Sequence, residues 1–209
     1  MPAQAVVTAM ALAAAAVLAA MPARAVITTV TDTGSTYGLT LRVGSAGATV
    51  DTVAFSVTGA NAGLTPTAVT GTPAISVWVM PVRPVANTTV ARPVTLRVDS
   101  STGLSCQSGG CGTTVIPFSK VSWVATNNSS AASGDIQSGR FDGTATQSIA
   151  SYNANATFCT GLLCLLGIGT WTYLSNNITA TQLQFSYDNN VIYPGGNYKG
   201  TVRFTASME

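Results

Sequence analysis

The four cysteines of this chain are spaced in a way that predicts covalent chemistry. Cys106 and Cys111 bracket Gln-Ser-Gly-Gly, and Cys159 and Cys164 bracket Thr-Gly-Leu-Leu, so each pair forms a C-x4-C loop. Four cysteines allow three connectivities, and the sequence alone does not choose among them. We predict the two local disulfides, because a Gly-containing loop of this length can bend back on itself. The alternative is one tetrahedral zinc site of four thiolates, for which the spacing is wider than usual.

The residues that most often carry catalysis are scarce. The chain has no histidine, which removes the commonest general base and most nucleophilic triads. Asp32-Thr33-Gly34 matches the signature of aspartic proteases, but that chemistry needs a second carboxylate, which only a homodimer would supply. Asp135 and Asp142 are candidates for a glycosidase pair, and positions at strand ends or turns are the competing interpretation. We therefore predict no enzyme, no catalytic residues and no cofactor.

Two further patterns suggest binding. Asp188-Asn189-Asn190 offers oxygen ligands for calcium, but the triplet also fits a plain turn, which we prefer, so no metal site is predicted. Trp78 alternates out of phase with its apolar neighbours Ile75, Val77 and Val79. It is therefore the candidate exposed aromatic residue, although burial is the commoner fate of tryptophan in a sandwich.

The first 25 residues have the character of a signal peptide. Residues 6–20 are small and apolar, and Ala23 and Ala25 form the small-x-small site that signal peptidase accepts. A helix of the mature protein is the alternative. The apolar run is shorter than a membrane span, and no later stretch is longer, so we predict an exported chain that begins at Val26 and has no membrane span. Export to the cell surface or beyond exposes the cysteines to oxidising conditions.

The composition restricts the function classes. Hydrophobic residues make up 46% of the chain and charged residues 8%, which is the opposite of the balance in disordered proteins. Nucleic-acid binding requires clustered Lys and Arg, which are absent here. The low charge leaves little repulsion against self-association.

Period-two alternation dominates from Val26 onward, which predicts half-buried strands. Turn-forming residues separate the apolar segments, so we predict a single all-β domain over residues 26–209, an immunoglobulin-like or jelly-roll-like sandwich of short antiparallel strands. The segments with the clearest strand pattern are 37–43, 53–57, 75–79, 94–98, 120–125, 135–141, 144–150, 170–174, 183–187 and 198–208.

The C-terminal stretch Tyr193-Pro194-Gly195-Gly196-Asn197-Tyr198-Lys199-Gly200-Thr201-Val202-Arg203-Phe204-Thr205-Ala206 resembles the closing strand of secreted bacterial fimbrial subunits. It is most similar to the spore-coat-U and Csu-type pilin group, in which a Pro-Gly turn leads into an alternating last strand. The resemblance covers about 15 residues and the general composition. The chain departs from that group in its length and in its two C-x4-C loops.

The resemblance implies a structural subunit of a surface fibre, pilus or coat of a Gram-negative bacterium. It implies an incomplete sandwich whose groove accepts a strand from a neighbouring copy, with a periplasmic chaperone and an outer-membrane assembly protein as further partners. The candidate donor strand is Val26, Ile27, Thr28, Thr29 and Val30, with a hinge extending to residue 36. Two alternatives stay open: this strand pairs within its own domain, or the protein is a monomeric surface-binding module for carbohydrate or adhesion.

Overall fold

The protein is an all-β sandwich, as the alternation predicts. The computed structural model describes residues 27–31, 38–44, 52–82, 92–154, 156–160, 170–174 and 178–209. Helical structure in these ranges is limited to short 3-10 turns, and no helix there is long and apolar enough to cross a bilayer. The predicted signal peptide lies outside the described residues.

Fifteen strands form the described structure, and most are short. Their bounds are β1 Ile27–Thr31, β2 Gly38–Gly44, β3 Val69–Thr70, β4 Ile75–Val82, β5 Arg92–Asp99, β6 Leu104–Gly109, β7 Val115–Ile116, β8 Val121–Thr126, β9 Gly139–Arg140, β10 Gln147–Ala154, β11 Ala156–Thr160, β12 Thr170–Leu174, β13 Ile178–Tyr187, β14 Gly196–Lys199 and β15 Arg203–Met208.

All strand pairs are antiparallel, and the strands form two main sheets. The larger sheet has the order β1-β2-β4-β13-β8-β9, with β3 paired to the end of β13. The second sheet has the order β10-β5-β15. A smaller sheet, β14-β6-β7, lies beside them, and β11 and β12 form a separate hairpin.

The inner faces of the two main sheets supply one buried core. On β5, Val94, Leu96 and Val98 are completely buried, and the residues between them are more exposed, which confirms the predicted alternation. The same pattern holds on β4 and β13, where Val77 and Leu183 are buried. On these strands the buried positions alternate with more exposed ones, so the pattern fixes which face turns inward.

Phe141 stands at the centre of an aromatic cluster in this core. Its ring centroid lies 4.9 Å from that of Trp123, 5.8 Å from that of Phe118 and 5.7 Å from that of Phe185. The indole Nε1 of Trp123 donates a hydrogen bond to the carbonyl of Gln137 at 2.8 Å. Burial of Trp123 therefore leaves no unpaired donor, as buried tryptophan requires.

Two predicted strands do not form ladders as expected. Residues 53–57 alternate in burial, but within the described ranges their backbone makes only an isolated bridge, between Ala54 and Thr72. Within residues 135–141, only Gly139–Arg140 pairs, with β8. Alternation indicates which side chains face the core, but it does not indicate whether another strand pairs with the segment. The sequence pattern therefore predicted more strand pairing than the described structure has.

The predicted last strand, residues 198–208, is two strands in two sheets. β14 pairs with β6, whereas β15 pairs with β5. The division falls at Gly200, where an added Cβ would overlap the carbonyl oxygen of Gly103 and lie 2.8 Å from the ring of Phe118. Such close approach requires glycine, and the chain passes from one sheet to the other at this corner.

Asn189 joins two loops at one end of the sandwich. It is buried, has a positive φ of 48°, and its Nδ2 donates to the carbonyl and the Oδ1 of Asn61, at 2.8 and 2.9 Å, and to the carbonyl of Thr67 at 3.2 Å. Asn tolerates this backbone conformation better than most residues. The connection between β13 and β14 is thereby fixed to the loop that contains residues 59–67.

One predicted disulfide is present. Cys106 and Cys111 are bonded, with their Cα atoms 5.7 Å apart, and Cys111 is buried. The loop packs on β14, since an added Cβ at Gly196 would overlap the Sγ of Cys111. Cys159 lies on β11 opposite Trp171, and Cys164 lies outside the described residues, so that pairing stays a prediction.

We expect the double variant Cys106→Ser/Cys111→Ser to lose about 2 kcal/mol of unfolding free energy, because the bond closes a short loop and restricts the unfolded chain. Urea unfolding of the oxidised wild type and the double variant measures the difference. Wild type in reductant is a second comparison and should be no more stable than the double variant, since reductant would also break a Cys159–Cys164 bond. Equal midpoints for the oxidised wild type and the double variant would contradict the expectation.

Candidate functional site: an open groove beside the last strand

An apolar groove lies between β2 of the larger sheet and the segment that leads into β15. Its volume is about 750 Å³. The larger sheet contributes side chains from β2, β4, β8 and β13, and the other wall is continuous from Tyr198 to Ala206. The lining residues of the first wall and the floor include Leu39, Leu41, Val43, Val53, Phe55, Ile75, Leu104, Phe118, Val121, Phe141 and Phe185.

Within the described residues, the core face of β15 is less covered than that of the neighbouring strand β5. Phe204, Ala206 and Met208 face the core and pair in register with Val98, Leu96 and Val94 of β5. The three β5 residues are completely buried, whereas the three β15 residues are only half-buried. Residues in the same layer of the same sheet thus differ in burial, because among the described strands β15 has a ladder neighbour on one side only, and β2 of the opposite sheet approaches it across the groove.

β15 is also an edge in its backbone. In the described part of the chain it pairs with β5 alone, so one row of the N–H and C=O groups of residues 203–207 has no ladder partner there. An unpaired edge is a template for another strand. The groove therefore combines the two requirements for strand addition, free backbone groups and an apolar trough for alternate side chains.

The groove is poor in charge. Among the described residues that line it, the charged ones are Lys199 and Arg203, both at the end where β15 begins. Asp99, opposite Arg203 in the ladder, has a pKa below its usual value, chiefly because it accepts hydrogen bonds from the side chain and backbone of Ser101, with a further contribution from Arg203. A ligand of the groove would thus be largely apolar.

The aromatic end of the groove is tied to the β13–β14 connection. The Tyr198 hydroxyl donates to the carbonyl of Pro194 at 2.7 Å, and the Phe55 ring lies 6.2 Å from that of Tyr187. Burial, together with the nearby Tyr193 and Tyr198, raises the pKa of the Tyr187 phenol. These contacts give the end of the groove a fixed shape.

The candidate donor strand is placed in its own domain. Residues 27–31 form β1, which pairs antiparallel with β2, Ile27 opposite Arg42 and Val30 opposite Leu39. In the described structure β1 pairs with no other strand, so it forms the outer edge of the larger sheet beside the groove. Val26 lies outside the described residues, and so does the predicted hinge from Asp32 onward.

Trp78 lies on the outer face of the larger sheet, as its phase predicts, and is half-buried. The guanidinium carbon of Arg42 lies 4.0 Å from the centroid of the indole ring, a cation–π contact. The indole Nε1 is buried with no hydrogen-bond partner. One face of the ring is therefore occupied by Arg42, which leaves less of it for a stacked sugar.

The polar residues considered for catalysis or calcium have local roles. The Asp142 carboxylate accepts hydrogen bonds from the backbone N–H and the hydroxyl of Thr144, at 2.8 and 2.7 Å. That of Asp135 accepts from the backbone N–H of Ser129 at 2.7 Å. Both carboxylates thus stabilise turns.

The triplet Asp188-Asn189-Asn190 lies in the connection between β13 and β14, consistent with the turn interpretation. The Asp188 carboxylate pairs with Arg140, and the Oδ1 of Asn190 accepts from Lys120 Nζ at 3.0 Å. Cationic side chains therefore occupy the oxygens that a calcium ion would need. Across the described ranges, no group of three or more His, Cys, Asp or Glu residues could hold a metal ion.

Sequence patterns predicted the inward side of the last strand, and the resemblance implied a groove, but neither identified the residues that line it. Leu104 and Phe118 lie far from the termini in sequence, and neither belongs to a predicted strand. No local pattern shows that an apolar side chain is half-covered, because that depends on which strands meet at the edge.

Comparison of the chain with protein-family models, with curated proteins and with solved structures gave no match.

Proposed function

We propose that this protein is a non-enzymatic structural subunit of an exported surface fibre or coat, and that copies assemble by adding a strand to the open edge of β15. One observation carries the proposal: the inner face of β15 is half-buried, whereas its register partners on β5 are completely buried. A strand laid beside β15 would pair the backbone groups of residues 203–207 that β5 leaves unpaired, and it would cover these side chains.

The occupant that we propose is β1 of a second copy. Residues 27–31 are rich in β-branched side chains, and the five-residue strand matches the length of the six-residue β15. β1 pairs with β2 alone in the described structure, so leaving its own domain breaks one ladder and entering another groove makes a new one. Each donation leaves the donor's own groove free for a further copy, and such a head-to-tail contact that does not close gives a filament.

The energetic gain comes from apolar burial. Two or three apolar side chains placed in the groove would each contribute about 1.5–3 kcal/mol before the costs of association. Main-chain hydrogen bonds to β15 would add specificity for an extended segment. Charge contributes little, since Lys199 and Arg203 are the charged side chains among the lining residues that the structure describes.

A pair of substitutions tests the groove. Val202→Asp places a carboxylate in the half-buried lining, and Ser207→Asp places the same charge on the exposed face, outside the lining. Desolvation of the buried carboxylate opposes strand entry. In negative-stain electron microscopy of the exported protein, we expect fibres from wild type and Ser207→Asp, and single particles from Val202→Asp.

A peptide assay separates the groove from the rest of the assembly. A chain that lacks residues 26–30 should form no fibres but should bind a labelled peptide of residues 26–32, and Val202→Asp in that chain should abolish this binding. Fibres from the truncated chain would overturn the role of the N-terminal strand. Single particles from wild type would favour the alternative, a monomeric surface-binding module.

A further inference from the structure

Exposed apolar side chains are concentrated at one end of the sandwich. Among the described residues, five large hydrophobic side chains are exposed, and three of them lie on the two loops that Asn189 joins. These are Leu64, Val191 and Ile192, at 86%, 41% and 69% exposure. We refer to them as the loop patch. Single exposed hydrophobic residues are ordinary, but a group held on adjoining loops marks an interaction surface.

The loops that carry the patch are held in place. The backbone N–H groups of Leu64 and Thr65 both donate to the carbonyl of Ala60 at 2.9 Å. The three hydrogen bonds of Asn189 then fix this loop against the β13–β14 connection. The patch is thus presented on an ordered support, which reduces the entropy lost when a partner binds.

The loop patch adjoins one end of the groove. Ile192 is two residues from Pro194, whose carbonyl accepts the hydrogen bond from Tyr198 of the groove wall. On the other loop, residues 59–67 follow directly from the segment that contains Phe55, which also lines the groove. A partner whose strand leaves the groove at this end would meet the patch.

The connection between β1 and β2 limits where that partner can be. β1 ends at Thr31 and β2 begins at Gly38, so six residues separate them, and the two ends can be at most about 25 Å apart. When β1 of one copy occupies the groove of another, the donor's larger sheet must therefore begin within that distance of a groove end.

We propose that the loop patch is the docking surface for the body of the copy that donates its strand. This inference rests on the proposed function, and it adds a second contact between the same two copies. The partner is a second copy of this chain, because the occupant of the groove and the short connection behind it both belong to that copy. Burial of the patch would fix the angle between successive subunits in addition to stabilising the fibre.

The test compares two double variants of the full exported chain. Leu64→Ser/Ile192→Ser removes the patch, and Val115→Ser/Val124→Ser removes the exposed hydrophobic residues that lie elsewhere, on β7 and β8. We expect the patch variant to need at least about tenfold more protein for half-maximal assembly, measured by sedimentation. The control variant should assemble as wild type does.

The outcomes separate the two proposals. Both variants, placed in chains without residues 26–30, should bind the peptide of residues 26–32 as tightly as the truncated parent does. Fibres from the patch variant at the wild-type concentration would overturn the docking role and leave strand addition intact. Loss of peptide binding in the patch variant would also overturn the docking role, because the cause of the weaker assembly would then lie in the groove. No assembly of wild type would overturn strand addition and the docking role together.

Discussion

Phe141→Ala should lower the free energy of unfolding by about 3–5 kcal/mol, the range for deletion of a buried phenylalanine ring. The ring is buried and contacts the rings of Phe118, Trp123 and Phe185, so its removal leaves a cavity among large, rigid neighbours. Aromatic side chains have few rotamers with which to fill such a space. Urea denaturation followed by tryptophan fluorescence measures the loss.

A surface substitution provides the comparison for Phe141→Ala. Val124 is 56% exposed on the neighbouring strand β8, and Val124→Ala should change the unfolding free energy by no more than about 0.5 kcal/mol. Because Phe141 also lines the floor of the groove, its loss should weaken fibre assembly as well. A loss of stability below about 1 kcal/mol in Phe141→Ala would show that the cluster is not tightly packed.

Gly134→Ala should cost about 2–5 kcal/mol, from two separate causes. Gly134 has a φ of 76°, a left-handed conformation that a side chain makes unfavourable. In addition, an added Cβ would overlap the carbonyl oxygen of Ser151 and lie 3.0 Å from the Cβ of Tyr152. The hydrogen bond from the N–H of Ser151 to the carbonyl of Gly134, at 2.9 Å, holds the two segments together and prevents an easy shift.

Gly143 is a matched control for Gly134. Its φ is 78°, but an added Cβ there would meet nothing within 4 Å. Gly143→Ala should therefore lose about 1–2 kcal/mol, the conformational cost alone. The difference between the two variants in urea denaturation isolates the steric effect. Equal losses would mean that the approach to Ser151 leaves room for a methyl group.

The strands were predictable from sequence where both the alternation and the turn signals were strong. β4, β5 and β13 follow their patterns, because apolar residues on one face can be buried in only one orientation. The local disulfide Cys106–Cys111 was likewise predicted from spacing. In each case the determining interactions lie within a short stretch of sequence.

Features that depend on distant residues were missed. Residues 53–57 alternate like a strand but bridge only at Ala54 among the described residues, where no other strand pairs with them. The division of the last strand at Gly200 follows from its approach to Gly103 and Phe118, both about 80 residues or more away in sequence. The groove exists because particular strands meet, or fail to meet, at an edge, and neither composition nor period contains that information.

The corner at Gly200 has a mechanical consequence. A pull on a strand seated beside β15 would shear its ladder with β15 and be passed to β5 in the same sheet. Through residues 200–202 the same load would reach β14 and its ladder with β6, where the bonded Cys106–Cys111 loop packs on Gly196. Antiparallel ladders loaded along their length share the force among several hydrogen bonds. The corner at Gly200 would thus distribute tension over the β10-β5-β15 sheet and the β14-β6-β7 sheet. In the second of these sheets, the Cys106–Cys111 disulfide closes a loop.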